Sequence, residues 1–327
     1  MTPAVTVGLM THNYGCYIGE AIESALAQSR TDWELIISDD ASTDDTGQIV
    51  APYLSDARIT YVRHEKNLGQ AGNWGFLLGQ GTAPIVSVLH ADDSWLPHML
   101  ETVLREFEAD PETDMVFGNW WRLTEDGQKT QALPNKTEAL TGHALYRRQV
   151  KKFTCLASGA FLTRRVVEQA GLPNPTLKMV VDYEYFLRTA IHTRKVRTLA
   201  EPLFHYRIHS RSTTSECTAN GVLTVEKERL PGICALPTKT FPMLRKSLIN
   251  LRRNYGTSIF RDGCRQAASG HRGPGLNLMA RGIHLYPFLL LRPRWLAAYL
   301  LCMGGGNLYH LFCNLSQHRI GGKIEAA

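Results

Sequence analysis

Apolar positions in the first hundred residues alternate between short continuous runs and a three-to-four-residue spacing, which is the rhythm of strands and helices in a parallel α/β sheet. Val5–Met10, Trp33–Ser38, Ile59–Val62 and Pro84–Leu89 read as strands. Between them, Ile18–Gln28 places Ile18, Ala21, Ile22, Ala25 and Leu26 on one helical face, and Gln70–Leu78 forms another helix. Thr43-Asp44-Asp45 supplies the cap of a helix running to about Leu54. After Pro84–Leu89, Ser94-Trp95-Leu96-Pro97 reads as the cap and first turn of a helix reaching Phe107, followed by a short strand at Asp114–Phe117.

Past Gly127 the pattern loosens. Leu133–Thr141 is polar and loop-like, His143–Lys151 a helix, Ala157–Leu162 an apolar stretch and Asp182–Ile191 a further helix. Near the end, Ile283–Leu291 and Trp295–Met303 are rich in leucine and aromatics and are split by Arg292-Pro293-Arg294. Neither reaches the roughly 18 to 20 apolar residues of a spanning helix. They read either as an interfacial segment, with Tyr286, Trp295 and Tyr299 at headgroup level, or as a helical hairpin packed on its own core or on a second copy in a homo-oligomer.

Composition narrows the class. A 327-residue chain that is 44% hydrophobic and 20% charged, with mean hydropathy −0.19, folds as one large or two unequal domains, which excludes disordered, collagen-like and coiled-coil readings. Seven scattered cysteines without a CxxC pair support neither a disulfide framework nor a zinc ribbon. The start of the chain enters a strand by Ala4 with no apolar leader, so the expected location is cytoplasmic. The net charge of +6 is uneven: residues 235–327 hold 13 Lys and Arg against Asp262 and Glu325, leaving the first part acidic. This asymmetry sets the expected domains at 1–232 and 233–327, the second a mainly helical basic extension. Its partner is an anionic membrane surface or another polyanion, unless the charge is a solvated helical face. No nucleic-acid motif accompanies the arginines, so no nucleic acid is expected as a partner.

Three acidic groups stand at strand ends or helix starts: Asp39-Asp40 with Asp44-Asp45, then Asp92-Asp93, then Asp182 with Glu184. In open α/β sheets ligands bind at the carboxyl ends of the strands. Adjacent carboxylates there repel one another and are held by a divalent cation or by donors such as a ribose hydroxyl or base N–H. The first group, taken alone, reads more readily as helix capping; Asp92-Asp93 directly follows an apolar strand and points to function. Two carboxylates suit Mg²⁺ or Mn²⁺ bridging to a diphosphate, and a nitrogen from His209 would favour Mn²⁺. Asp182 is either a cap or, kept ionised by the helix dipole, a general base.

The segments Val5–Asn13, Ile36–Asp44, Asn67-Leu68-Gly69, Leu89–Pro97, Val181–Glu184 and Tyr206–His209 resemble, in order and over roughly residues 4–215, the successive blocks of family 2 glycosyltransferases. The resemblance implies a GT-A fold, a mostly parallel Rossmann-like sheet flanked by helices, and an inverting transfer from a nucleotide-sugar donor. It implies that Thr11, His12, Asn13, Asp40, Asn67 and Gly69 surround the nucleotide base, with His12 where the family commonly has Tyr. By the same resemblance Asp92 meets the ribose and the metal, Asp93 the metal, His209 the metal or diphosphate, and Asp182 deprotonates the acceptor hydroxyl. His90 stands where the family often has an acid. The implied metal is Mn²⁺ or Mg²⁺. The Gln-x-x-Arg-Trp block of processive synthases is absent, which points to addition of one sugar.

Neither GxGxxG nor a P-loop is present, and Thr11–Gly15 lacks the glycine-rich basic loop of nucleotidyltransferases. The expected activity is transfer of a hexose, with a UDP-sugar as donor and a glycan or lipid-linked acceptor. The setting is bacterial surface polysaccharide or lipopolysaccharide synthesis, peripheral to the inner face of the membrane. The alternative is a catalytically silent nucleotide-sugar-binding scaffold of a membrane polysaccharide-assembly complex, against which Asp182 argues.

Overall fold

The computed structural model describes residues 2–131, 136–151, 153–215 and 245–304. The chain divides into two compact units, Met1–Leu223 and Thr224–Ala327. Leu230–Pro237, where the charge balance changes, and Cys217, Cys234 and Cys313 lie outside the described residues.

The first half of the first unit comprises β1 (Val5–Thr11), α1 (Gly15–Leu26), β2 (Trp33–Asp39), α2 (Thr46–Val50), β3 (Ile59–Arg63), α3 (Gly69–Leu78) and β4 (Ile85–His90). Its strands pair in parallel in the order β3-β2-β1-β4. Such strands are covered on both faces, which is why their sequences are almost continuously apolar. Val5, Val7, Leu9, Leu35, Ile37 and Leu89 are fully buried. Helix α3 lies so close to β1 that a Cβ on Gly8 would stand 2.9 Å from that of Leu77, so the strand needs glycine there.

The second half comprises β5 (Ser94–Trp95), α4 (Met99–Ala109), β6 (Thr113–Thr124), β7 (Lys129–Gln131), β8 (Glu138–Thr141), α5 (Gly142–Lys151), β9 (Ala160–Thr163), α6 (Arg164–Ala170), α7 (Val181–His192) and β10 (Lys195–Ile208). The sheet is mixed here. Strand β9 runs antiparallel between β4 and β6, β10 lies parallel to β6, and β5 closes the far edge antiparallel to β10. Strands β7 and β8 add antiparallel pairings to β6 and β10, giving ten strands in one sheet.

Several elements differ from the sequence expectation. Helix α2 stops at Val50 and continues as a 3-10 turn, Ala51–Ser55, because Pro52 has no N–H for the α-helical ladder. Ser94-Trp95 is a strand rather than a helix cap, since these residues pair with His205 and Phe204, and α4 starts only at Met99. Glu138–Thr141, expected as loop, is a strand on β10. Strand β6 runs well past Phe117, and the long β10 is bent by register shifts around Pro202, which hide it from a periodicity reading.

The second unit holds α8 (Arg245–Ala268), α9 (Arg272–Leu285), a 3-10 turn Pro287–Leu291 and α10 (Pro293–Gly304). Helices α8 and α9 cross backbone to backbone at Gly256 with Gly282 and at Gly263 with Gly275, where added Cβ atoms would lie 2.9 and 2.6 Å from the facing carbonyl oxygens. Phe260, Cys264, Met279, Leu289, Ala298 and Cys302 form its core, with Tyr286, Trp295 and Tyr299 packed against it. The hairpin reading therefore accounts for the aromatics. Phe288, Leu291, Leu296, Leu300 and Met303 remain exposed. Among the described residues no helix is long and apolar enough to cross a membrane.

Candidate active site

Parallel strands end at one edge of the sheet, and the loops leaving β1, β2 and β4 there carry the residues singled out in the sequence. The β1 and β2 ends are tied by the Asp40 N–H donating to the Thr11 carbonyl at 2.9 Å. Asn13 adopts a left-handed conformation (φ 57°), which a short amide side chain tolerates. From it, Asn13 Oδ1 accepts the Thr43 N–H at 2.7 Å, while the Asn13 N–H donates to Ser42 Oγ at 2.8 Å. The exposed His12 ring places Nε2 at 3.2 Å from Asn67 Nδ2 and 3.3 Å from Asn13 Nδ2. The buried Asp40 carboxylate accepts the Leu68 N–H at 2.5 Å on one oxygen and the Gly69 N–H at 3.0 Å on the other. Thr11, His12, Asn13, Asp40, Asn67 and Gly69 thus form one cluster.

Two neighbouring acids are framework. Asp39 is fully buried and accepts the Ser42 N–H at 2.8 Å and the Tyr61 hydroxyl at 2.6 Å. Asp44 accepts the Gly15 N–H at 2.9 Å and two donors of Thr46, fixing the start of α1. Burial works to raise its pKa, but the Thr46 hydroxyl and the Gly15 and Thr46 amides hold it below the usual carboxylate range.

The end of β4 is organised differently. Asp93 is buried, with Ser158 Oγ donating to one oxygen at 2.5 Å and the Arg207 N–H to the other at 3.0 Å. Burial, then the adjacent Asp92 charge, pushes its pKa well above the carboxylate range. Asp92 is half-buried and meets His209 Nε2 at 3.1 Å. His209 is held between the rings of Tyr17 and Tyr14, at centroid distances of 4.8 and 5.6 Å. Since Tyr14 directly follows Asn13, it joins the base-side cluster to the acid pair. The His90 N–H donates to Ser158 Oγ at 3.2 Å, and its ring Nε2 is buried without a hydrogen-bond partner among the described residues. Burial lowers its pKa against the opposing Asp92 charge, favouring the neutral ring.

Asp182 stands half-buried in the first turn of α7, one carboxylate oxygen accepting the Tyr183 N–H at 2.7 Å. Burial pushes its pKa up to about 7. Glu184, two residues on, is taken by Arg188 at 2.8 Å. Tyr206 links the two acid groups: its hydroxyl is pushed up to about 12 by burial, with Asp93, Asp92 and Asp182 all adding to the rise.

Ser158 and Arg207 escaped the sequence reading as site residues. Ser158 braces the β4 end through its hydroxyl. Arg207 receives Asp93 on its amide, donates Nε to the Asp92 carbonyl at 3.0 Å and pairs with Glu20 at 2.5 Å. Neither has a sequence signal beyond its place in an apolar stretch and in Tyr206–His209.

His90, Asp92 and Asp93 each offer a ligand atom, all lying within 4.8 Å of one another. Two carboxylates and an imidazole nitrogen with no other partner form a donor set that fits a divalent transition cation.

The model of Glycosyl transferase family 2 matches residues 6–171, just over half of the chain. The uncharacterized glycosyltransferase alr2836 of Nostoc sp. is 29% identical over 239 residues, 68% of this chain and 72% of that protein. The putative teichuronic acid biosynthesis glycosyltransferase TuaG of Bacillus subtilis is 34% identical over 140 residues, 42% of this chain and 55% of the relative. Among solved structures, S. aureus TarS 1-349 in complex with UDP aligns with TM-score 0.64 at 14% identity, covering 100% of this chain and 94% of that one. Mannosyltransferase PcManGT from Pyrobaculum calidifontis, in complex with GDP-Man and Mn²⁺, aligns with TM-score 0.57 at 17% identity, covering 99% and 89%. The likeness to both supports the GT-A architecture, and the match to the family model carries the assignment: the chain belongs to glycosyl transferase family 2.

Proposed function

We propose that the protein is an inverting hexosyltransferase that moves one sugar from a nucleotide diphosphate sugar to a hydroxyl of a glycan or lipid-linked acceptor. The observation that carries this reading is the convergence of His90, Asp92 and Asp93 at the β4 end, supported by an Asp at the start of α7 whose pKa burial pushes up to about 7. A silent scaffold has no use for such a base.

The base-side cluster binds the nucleotide: Asp40 keeps free lone pairs for a base N–H, and Thr11, His12, Asn13, Asn67 and Gly69 enclose it. UDP is the favoured donor nucleotide, in line with the UDP bound by TarS 1-349. Asp92 also meets the ribose, while Asp92 and Asp93 would hold Mn²⁺ or Mg²⁺, with His209 against the Asp92 carboxylate. A bound cation there would neutralise charge growing on the leaving diphosphate. An acceptor hydroxyl is a weak nucleophile at neutral pH, and Asp182, ionised above about pH 7, accepts its proton as the bond to the anomeric carbon forms. With attack opposite the leaving diphosphate, no covalent enzyme intermediate arises and the configuration inverts.

The setting we propose is bacterial surface polysaccharide or lipopolysaccharide assembly, at the cytoplasmic face of the membrane. Exposed Phe288, Leu291, Leu296, Leu300 and Met303 beside exposed Arg292 and Arg294 support a peripheral contact with anionic lipid. The deciding experiment is a thermal-shift screen of UDP-, GDP-, dTDP- and CMP-sugars with and without Mn²⁺, on wild type and Asp92→Asn. One nucleotide should raise the Tm by about 2–4 °C, in a cation-dependent way lost in the variant. No shift with any donor would refute the reading.

A further inference from the structure

We propose that His90 is a direct ligand of the cation, so that the site combines an imidazole nitrogen with the oxygens of Asp92 and Asp93 and prefers Mn²⁺ to Mg²⁺. The inference rests on the reading of this edge as a cation-assisted donor site and adds a donor to it.

His90 is the last residue of β4, and its backbone is fixed on both sides. Its N–H is given to Ser158 Oγ at 3.2 Å, and its carbonyl accepts the Asp93 N–H at 3.0 Å. The tight turn that results holds the three residues together, with a ligand atom of each within 4.8 Å of the others. Two donors on opposite sides of one divalent cation stand about 4.2 Å apart, so the cluster closes on an ion with small side-chain rotations. Nε2 is buried and makes no hydrogen bond among the described residues, although buried polar atoms are nearly always paired. An imidazole nitrogen held dry beside two carboxylates has a lone pair whose natural partner is a cation. His209 is placed otherwise: its Nε2 meets Asp92 Oδ2 at 3.1 Å, where it orients that carboxylate. Although its Nδ1 is also buried without a hydrogen-bond partner among the described residues, the group of converging ligand atoms is His90, Asp92 and Asp93.

The donor set decides the metal. Mg²⁺ takes oxygen ligands and keeps its waters, whereas later divalent ions accept imidazole readily. Of the two ions this family reading allows, the nitrogen favours Mn²⁺.

The test uses the full chain with Mn²⁺, alone and with UDP, and reads the ¹⁴N modulation of the Mn²⁺ spin echo together with Mn²⁺ and Mg²⁺ affinities. Wild type should show imidazole ¹⁴N coupling and bind Mn²⁺ more tightly than Mg²⁺. In His90→Asn the modulation depth should fall by at least about half, and Mn²⁺ affinity by about tenfold or more, with Mg²⁺ affinity little changed. His90→Asp, which restores an oxygen donor, should bind Mn²⁺ without the His90 nitrogen signal and narrow the gap between the two metals; it serves if the Asn variant does not fold. Unchanged modulation and affinity in either folded variant would overturn the proposal. If wild type binds and Asp92→Asn does not, but His90→Asn behaves as wild type, only this inference falls. If wild type binds no cation with UDP present, the donor-site reading falls with it.

Discussion

The acids after β2 and those after β4 stand at the same edge of one sheet and look alike in sequence, yet the protein treats them in opposite ways. Asp39, Asp40 and Asp44 are each received by N–H or O–H donors from their own neighbourhood: Ser42 and Tyr61, Leu68 and Gly69, Gly15 and Thr46. After β4, Asp93 is buried with a raised pKa, Asp92 is half-buried against a histidine, and His90 keeps a nitrogen with no partner. Clustered carboxylates therefore do not mark chemistry by themselves. What separates the two places is convergence. After β4 two carboxylates, one with a raised pKa, and an imidazole without a hydrogen-bond partner on Nε2 among the described residues bring ligand atoms within 4.8 Å of one another, whereas after β2 each acid is held by donors of its own loops.

That contrast is sharpened most by Asp182→Asn. Loss of the base should lower kcat about a thousandfold while leaving donor affinity intact, measured by transfer kinetics and calorimetric UDP binding. The wild-type rate should rise with pH and level off above about 7, since only the ionised carboxylate accepts a proton, and this limb should vanish in the variant. A smaller, opposite signature belongs to the satisfied group. Asp39→Ala leaves the Ser42 N–H and the Tyr61 hydroxyl without their acceptor in a fully buried place, and should cost about 2–3 kcal/mol in denaturant unfolding. UDP affinity of the folded variant should stay as it was; a loss there would show that framework and site are not separable. The smallest effect concerns the helical unit. Gly263→Ala puts a Cβ 2.6 Å from a carbonyl oxygen and should destabilise by about 1 kcal/mol despite the better helix propensity of alanine. Thermal melts check the sign: a Tm at or above that of wild type would show that helix propensity outweighs the contact.

Legibility in the sequence followed local chemistry. Strands β1 to β4 were readable because burial on both faces leaves continuous apolar runs between amphipathic helices. The same reading found Asp92, Asp93 and Asp182, whose positions depend only on where a strand ends or a helix begins. It missed β10, whose run is broken at Pro202 by a change of register. It missed β5, two residues long and defined solely by pairing with Phe204 and His205. Ser158 and Arg207 were invisible for a related reason: one acts through a hydroxyl and the other largely through its amide, on a residue far away in the chain. His209 stood in the sequence as a candidate nitrogen ligand, and its tie to Asp92 is tertiary.

Asp93 is received by a hydroxyl 65 residues and an amide 114 residues further along. During synthesis, then, β4 and its acids leave the ribosome long before the groups that hold them. A nascent chain that has not yet reached Arg207 can assemble the parallel strands, but it has no amide to offer the second oxygen of a carboxylate that the finished protein buries. The β4 end is therefore completed only once β10 has been made, whereas the cluster around Thr11, Asp40 and Gly69 is built from residues that precede β4.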